Sequence, residues 1–215
     1  MNADSPLYLK QIEAGPMENF IYLIGDKNKK ECVMVDPAWE VDRVLNIAKE
    51  DDMKVTGGLI THTHFDHVNG VADLLEKAGA KIYVHKNELS FLKGMKDHLT
   101  GVDSGYKLEV GDLDITFIHT PGHTPGSQCF LVNNRLVSGD TLFINACGRC
   151  DLPGGNAEQM YQSLQQLAKL GDDVILLPGH NYADDPTSTI GQEKKLNPYY
   201  QSHSLSDFLH TRMGH

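Results

Sequence analysis

The sequence predicts an α/β chain in which helices cover β-sheet, and two observations predict it. Short apolar runs of strand length alternate with segments whose apolar residues recur at helical spacing, a pattern that packs as helix layers on sheet layers. The 215 residues are 40% hydrophobic and 22% charged, the balance of an ordinary globular chain long enough to bury a large core.

Residues 7–12 and 19–24 read as strands around a Gly15-Pro16 turn. Gly25-Asp26-Lys27-Asn28 then turns the chain into a third strand at 31–35. Asp36-Pro37-Ala38 ends it, because proline has no N–H to give a ladder. Val41, Val44, Leu45 and Ala48 share one face of a helix over 39–50. A buried strand at 55–60 precedes a helix over 68–78, with Gly79 as its C-cap. A short strand follows at 81–85, and Asn87 caps a helix running to Leu92. Strands at 113–120, 126–132 and 135–139 come next, the last two joined by an Asn133-Asn134 turn. Met160, Leu164, Leu167 and Ala168 define an amphipathic helix over 157–170. A strand at 174–177 and short helices at 188–196 and 205–213 complete the chain. With no repeat, low-complexity tract or linker, residues 1–215 read as a single domain.

Charge and composition exclude several function classes. The net charge is −10, and no basic cluster exceeds Lys27-Asn28-Lys29-Lys30, which argues against nucleic acid as a partner. No apolar run approaches 18 residues, so no membrane span is expected. Residues 1–6 lack the basic and apolar segments of an export signal. Cys32, Cys129, Cys147 and Cys150 are too few for a disulfide framework, so a reducing cytoplasm is the expected compartment.

The chemistry concentrates in Thr61-His62-Thr63-His64-Phe65-Asp66-His67, between a strand and a helix. Imidazole and carboxylate suit zinc, iron and manganese, and open α/β sheets place ligands beyond the carboxyl ends of strands. His123, Asp140, His180 and Asp36 also follow apolar runs, most of them beside a glycine that lets backbone turn sharply and come close to a ligand. If those strands run the same way, their ends converge. The other histidines, His85, His98, His119, His203, His210 and His215, are lone and read as surface or hydrogen-bonded core residues.

The order His-x-His-x-Asp-His (62–67), Gly-His-Thr-x-Gly-Ser (122–127), Gly-Asp-Thr-Leu-Phe (139–143) and Gly-His (179–180) resembles the metallo-β-lactamase-fold superfamily over essentially the whole chain. Residues 139–143, Cys147-Gly148-Arg149 and Asn197-Pro198 are most similar to its glyoxalase II-like hydrolases and persulfide dioxygenases. The resemblance implies a four-layer αβ/βα sandwich. It implies His62, His64 and His123 on one metal, Asp66, His67 and His180 on a second, and Asp140 bridging. Asp36 and Thr61 would orient imidazoles through their free N–H groups. The implied cofactor is two Zn2+ or a mixed Zn/Fe pair. A persulfide dioxygenase would instead hold one Fe2+ on His62, His123 and Asp140. The leading expectation is a hydrolase of a thioester, of hydroxyacylglutathione hydrolase type, acting on a small molecule such as a glutathione-linked one; a homodimer is compatible with it. Only 35 residues follow His180, so the C-terminal helical extension that shapes the glutathione pocket in glyoxalase II does not carry over. Arg149 either receives a substrate carboxylate or pairs with Asp151. Tyr182 either donates to substrate or packs. The Cys147–Cys150 spacing alone reads as a loop near the site.

Overall fold

A computed structural model describes residues 6–92 and 94–214. His215 and most of the N-terminal stretch read for an export signal lie outside the described residues. Six strands form the first sheet in sequence order: β1 (Leu7–Ala14), β2 (Asn19–Asp26), β3 (Glu31–Val35), β4 (Lys54–Leu59), β5 (Lys81–His85) and β6 (Leu99–Val102). β1 to β3 pair antiparallel, and β3 to β6 run parallel. The chain continues through β7 (Lys107–Val110), β8 (Leu113–His119), β9 (Gln128–Val132) and β10 (Arg135–Gly139). A hairpin of β11 (Leu142–Phe143) and β12 (Ala146–Cys147) follows, then β13 (Ile175–Pro178) and β14 (Ser188–Thr189). The second sheet has the order β14-β13-β10-β9-β8-β7. β10 and β13 are parallel, and β8 runs the same way because both β8 and β10 oppose β9.

Helices α1 (Val41–Glu50), α2 (Phe65–Val68), α3 (Val71–Ala78), α4 (Ala157–Leu167), α5 (Ile190–Leu196) and α6 (Leu205–Met213) complete the set. Strand alternation sorts the side chains into three apolar layers. Phe20, Tyr22, Ile24, Val33 and Val35 meet Phe117, Phe130, Val137 and Leu177 between the sheets. Ile21, Leu23, Cys32 and Met34 face outward against Val41, Val44 and Leu74 of α1 and α3. Cys129, Leu136 and Leu176 pack against Met160, Leu164, Ile190 and Phe208 of α4, α5 and α6. Every residue of β2 is buried, as expected of a strand covered on both faces. The result is two central sheets flanked by helices, the layered αβ/βα order. No helix among the described residues is long and apolar enough to cross a membrane.

Several elements differ from expectation. The helix expected over 68–78 is α3, which starts three residues late at Val71; Val68 instead ends the separate turn α2, and the break falls at Gly70. That residue donates its N–H to Pro37 O, and a Cβ there would lie 2.1 Å from Ala38 O. The helix expected from Asn87 to Leu92 is only a 3₁₀ turn, Lys86–Glu88, capped by His85 Nδ1 accepting from Asn87 N. The helix expected over 188–196 starts two residues late, because Ser188 and Thr189 first pair with β13. The strands at 99–102 and 107–110 are not anticipated by the local sequence; both are four-residue edge strands whose pairing depends on the sheets that receive them.

Candidate metal centre

The C-terminal ends of β4, β8, β10 and β13 meet at one edge between the sheets and bring seven residues together. Three overlapping groups have ligand atoms within 4.8 Å of one another: His62, His64 and His123; His62, His67 and Asp140; Asp66, His67 and His180. Close backbone passage makes this convergence possible. A Cβ on Gly139, at φ +49°, would lie 2.6 Å from Thr61 Cβ, and one on Gly179 would lie 2.5 Å from Asp140 Oδ1, so only glycine admits these crossings.

Each imidazole save His64 is aimed by its outer nitrogen. Asp36, itself in the left-handed region at φ +50° that Asp tolerates better than most residues, accepts Thr61 N at 2.7 Å and Thr61 Oγ1 at 2.6 Å. It also accepts His67 Nδ1 at 2.8 Å. Thr61 Oγ1, having donated to Asp36, accepts from His62 Nδ1 at 3.1 Å. His123 Nδ1 donates to Arg149 O at 2.7 Å, and His180 Nδ1 to Met17 O at 2.8 Å. A neutral imidazole that donates through Nδ1 presents a lone pair at Nε2. His64 points its Nδ1 inward instead, 3.1 Å from His62 Nε2 and 2.9 Å from His123 Nε2. The group of Asp66, His67 and His180 closes at 3.2 Å between His67 Nε2 and His180 Nε2.

Lone pairs converging at such distances repel one another, and a cation is what they collect. Asp140 sits between the groups. Its Oδ1 is buried without a hydrogen-bond partner and faces His67 Nε2 and His180 Nε2 at 3.4 Å each, while Oδ2 faces His123 Nε2 at 3.5 Å. Asp66 Oδ2 lies 3.4 Å from His67 Nε2 and 3.5 Å from His180 Nε2. The His and Asp clusters can therefore coordinate a metal such as zinc or iron. The charge balance agrees. Burial holds His62 and His64 below the usual imidazole range, with neighbouring imidazoles adding to it. Burial opposes a charge on His67 as well, yet Asp140 and Asp36 together push it up to about 9. Burial likewise opposes ionisation of Asp140, but His67, His180 and His62 hold its carboxyl well below the ordinary value.

The rim is apolar on one side. Tyr182, 60% exposed, stacks on His180 with ring centroids 4.6 Å apart. Burial, then Asp140 and Asp66, push its phenol up to about 12, so it stays a donor at neutral pH. Phe143, Ile144, Ala146, Pro178 and Ala183 join His180 and Tyr182 around a recess of about 70 Å³. The Arg149 guanidinium pairs with Asp151 through two bonds of 3.0 and 2.7 Å; its carbonyl, rather than its charge, reaches His123. Cys147 and Cys150 are buried free thiols, and burial raises the pKa of each, which keeps them weak nucleophiles. A larger groove of about 1100 Å³, among Lys10, Lys27, Asp51 and Arg135, lies at the opposite strand ends and contains none of these residues.

Two participants carry no motif in the sequence. Asn19, 1% exposed, donates to Asp66 Oδ2 at 2.9 Å and accepts Trp39 Nε1 at 2.9 Å. The one signal for it is an Asn opening an otherwise apolar strand, where Asn is disfavoured. Glu88, also 1% exposed, binds Thr63 and Thr124, and nothing in the surrounding Lys-Asn-Glu-Leu-Ser marks it.

Comparison with known proteins places this geometry. The model of the metallo-beta-lactamase superfamily matches residues 14–180. The chain is 34% identical to the probable polyketide biosynthesis zinc-dependent hydrolase BaeB of Bacillus velezensis, over 90% of this chain and 87% of that protein. It is 31% identical to the human mitochondrial persulfide dioxygenase ETHE1, over 90% of this chain and 76% of that one. The crystal structure of ETHE1 from Myxococcus xanthus superposes with a TM-score of 0.87 at 32% identity, covering 96% of this chain and 90% of that one.

Proposed function

Because the chain belongs to the metallo-β-lactamase superfamily, we propose that it is a single-domain, two-metal hydrolase of a thioester, resembling hydroxyacylglutathione hydrolases. The observation that carries this reading is Asp140, whose two oxygens face different imidazole groups, as a carboxylate shared by two ions must. His62, His64 and His123 would hold one ion, and Asp66, His67 and His180 the other. Zinc, or zinc with iron, suits this nitrogen and oxygen set.

When bound, the ions supply Lewis acidity toward a carbonyl oxygen and lower the pKa of coordinated water toward about 7. The chain's own residues do the rest. Asp36, Thr61, Met17 O and Arg149 O fix four imidazoles so that their lone pairs converge before substrate arrives. Asn19 holds the Asp66 carboxylate. Tyr182, protonated and exposed beside His180, donates a hydrogen bond to the bound substrate. The leaving group is a thiolate, whose low basicity (a thiol pKa of about 8.5) lets it depart with little help from an acid.

A second reading, a persulfide dioxygenase with one Fe2+ on His62, His123 and Asp140, is favoured by the likeness to human ETHE1. It leaves the converging Asp66, His67 and His180 ligand atoms without an ion to hold, and for that reason the two-ion hydrolase is preferred. Elemental analysis of protein from its native host, with thiol release from a thioester panel, tests the choice. Two ions per chain and thioester cleavage are expected. One iron per chain, with oxygen uptake on glutathione persulfide and no thioester cleavage, would replace the hydrolase by the dioxygenase.

A further inference from the structure

Glu88 stands at the end of a 3₁₀ turn that follows β5, and its carboxylate is directed inward to four donors. Oε2 accepts from Thr63 N at 3.2 Å and from Thr63 Oγ1. Oε1 accepts from Thr124 Oγ1 at 2.8 Å and Gly126 N at 2.7 Å. Thr63 lies between His62 and His64, on the loop leaving β4. Thr124 follows His123, on the loop leaving β8. One buried carboxylate thus ties together the two loops, one from each sheet, that carry the three imidazoles of the first group. Space enforces the arrangement, since a Cβ on Gly126 would lie 2.5 Å from Glu88 Cγ. Ser127 completes the second of these loops: its Oγ accepts Thr124 N at 3.0 Å and lies 2.8 Å from Thr124 Oγ1.

We infer that Glu88 is a positioning residue for the first metal ion: it sets the separation of the His62–His64 and His123 loops without touching the ion. The Asp66, His67 and His180 group is held by other means, through Asn19, Asp36 and Met17 O, none of which is bonded to Glu88. Asp36 serves both groups, directly to His67 and through Thr61 to His62, but the Glu88 bonds reach only the loops of the first group, so loss of its carboxylate weakens that site. This role rests on the proposed ligand assignment only in requiring an ion on His62, His64 and His123.

Glu88→Gln is nearly isosteric but replaces one two-donor acceptor by an amide NH2, setting donors against donors. Zn2+ titration of the metal-free protein against a chromophoric chelator reads each ion separately, and Co2+ reconstitution reads coordination from the visible spectrum. For Glu88→Gln, one Zn2+ is expected to bind ~10–100-fold more weakly, the loss found for residues that orient metal ligands. The other should bind within about twofold of the unsubstituted protein, and the Co2+ spectrum should change for one ion only. Thr63→Val and Thr124→Val, each removing a single donor, should give smaller losses at the same ion. Equal weakening of both ions, or unchanged binding of both, would overturn the inference. Should Glu88→Gln fail to fold, the valine variants decide it, and folded valine variants with two unperturbed ions would overturn it. An unsubstituted protein that binds no Zn2+ at all would instead sink the two-metal reading.

Discussion

Asp140 and His67 show how single side chains set the chemistry of this edge. Asp140→Asn keeps the shape of the carboxylate but loses its charge and one acceptor. It is expected to weaken ion binding by at least ~10–100-fold and to lower turnover in parallel; elemental analysis beside initial rates checks this. A variant with full ions and full rate would remove Asp140 from the bridging position. His67 titrates near 6.5 when unperturbed and near 9 in the folded metal-free protein. Between those values the folded chain holds a proton that the unfolded chain has released. The metal-free protein therefore loses stability as pH rises from about 6.5 through about 9. An incoming ion must displace that proton. Calorimetric titration at pH 7.5 in two buffers of different ionisation enthalpy should show proton release on Zn2+ binding, and no release would mean His67 is already neutral. The seven residues that converge at this edge are legible in the sequence because imidazoles and carboxylates crowded at strand ends are costly to pack without a cation. Glu88 and Asn19 are not, since a lone Glu or Asn acts here only through chain that folding brings to it.

At the scale of elements, the short hairpin of β11 and β12 is held by a buried pair from α5 and its C-cap. Asn197 Nδ2 donates to Phe143 O at 3.3 Å, Ala146 O at 3.0 Å and Glu193 Oε2 at 3.0 Å, and Glu193 accepts Asn145 N at 2.7 Å. The hairpin carries Phe143, whose ring lies 6.0 Å from that of His180. Asn197→Ala leaves two buried carbonyls and a carboxylate oxygen short of a donor, a loss of about 1–3 kcal/mol. Urea unfolding should register it as a lower midpoint at unchanged slope, and a shift below ~0.5 kcal/mol would show that the hairpin holds itself. Strands with continuous apolar runs, such as β2, β3 and β13, are readable locally. β6 and β7 are not, because Leu-Thr-Gly-Val and Lys-Leu-Glu-Val become strands only when β5 and β8 offer partners. The 3₁₀ turn replaces the expected helix for a related reason: Glu88 is drawn to Thr63 and Thr124 rather than left on a helix surface.

Across the whole molecule, the candidate metal centre spans the two halves: residues 62–67 come from the first sheet and His123, Asp140 and His180 from the second. An ion bound there stabilises only the folded chain. At free ion 100-fold above its Kd, it adds about 2.7 kcal/mol, or roughly 5–10 °C in melting temperature for a chain this size. Treatment with a chelator should lower the melting point by that order, and readdition of Zn2+ should restore it. An unchanged melting point would mean the sheets are docked without help from the ions. The layer order can be anticipated from the many runs buried on both faces. Which strands neighbour which, notably β10 beside β13, cannot, since pairing partners are separated by long intervening chain. All four cysteines are buried free thiols, and they are distributed unevenly: Cys32 lies under α1 and α3, and Cys129, Cys147 and Cys150 lie under α4 and α6. The chain thus carries its own opening sensors, one beneath the first helical coat and three beneath the second. Pulsed alkylation followed by peptide mass mapping would time the lifting of either coat separately, with no engineered label.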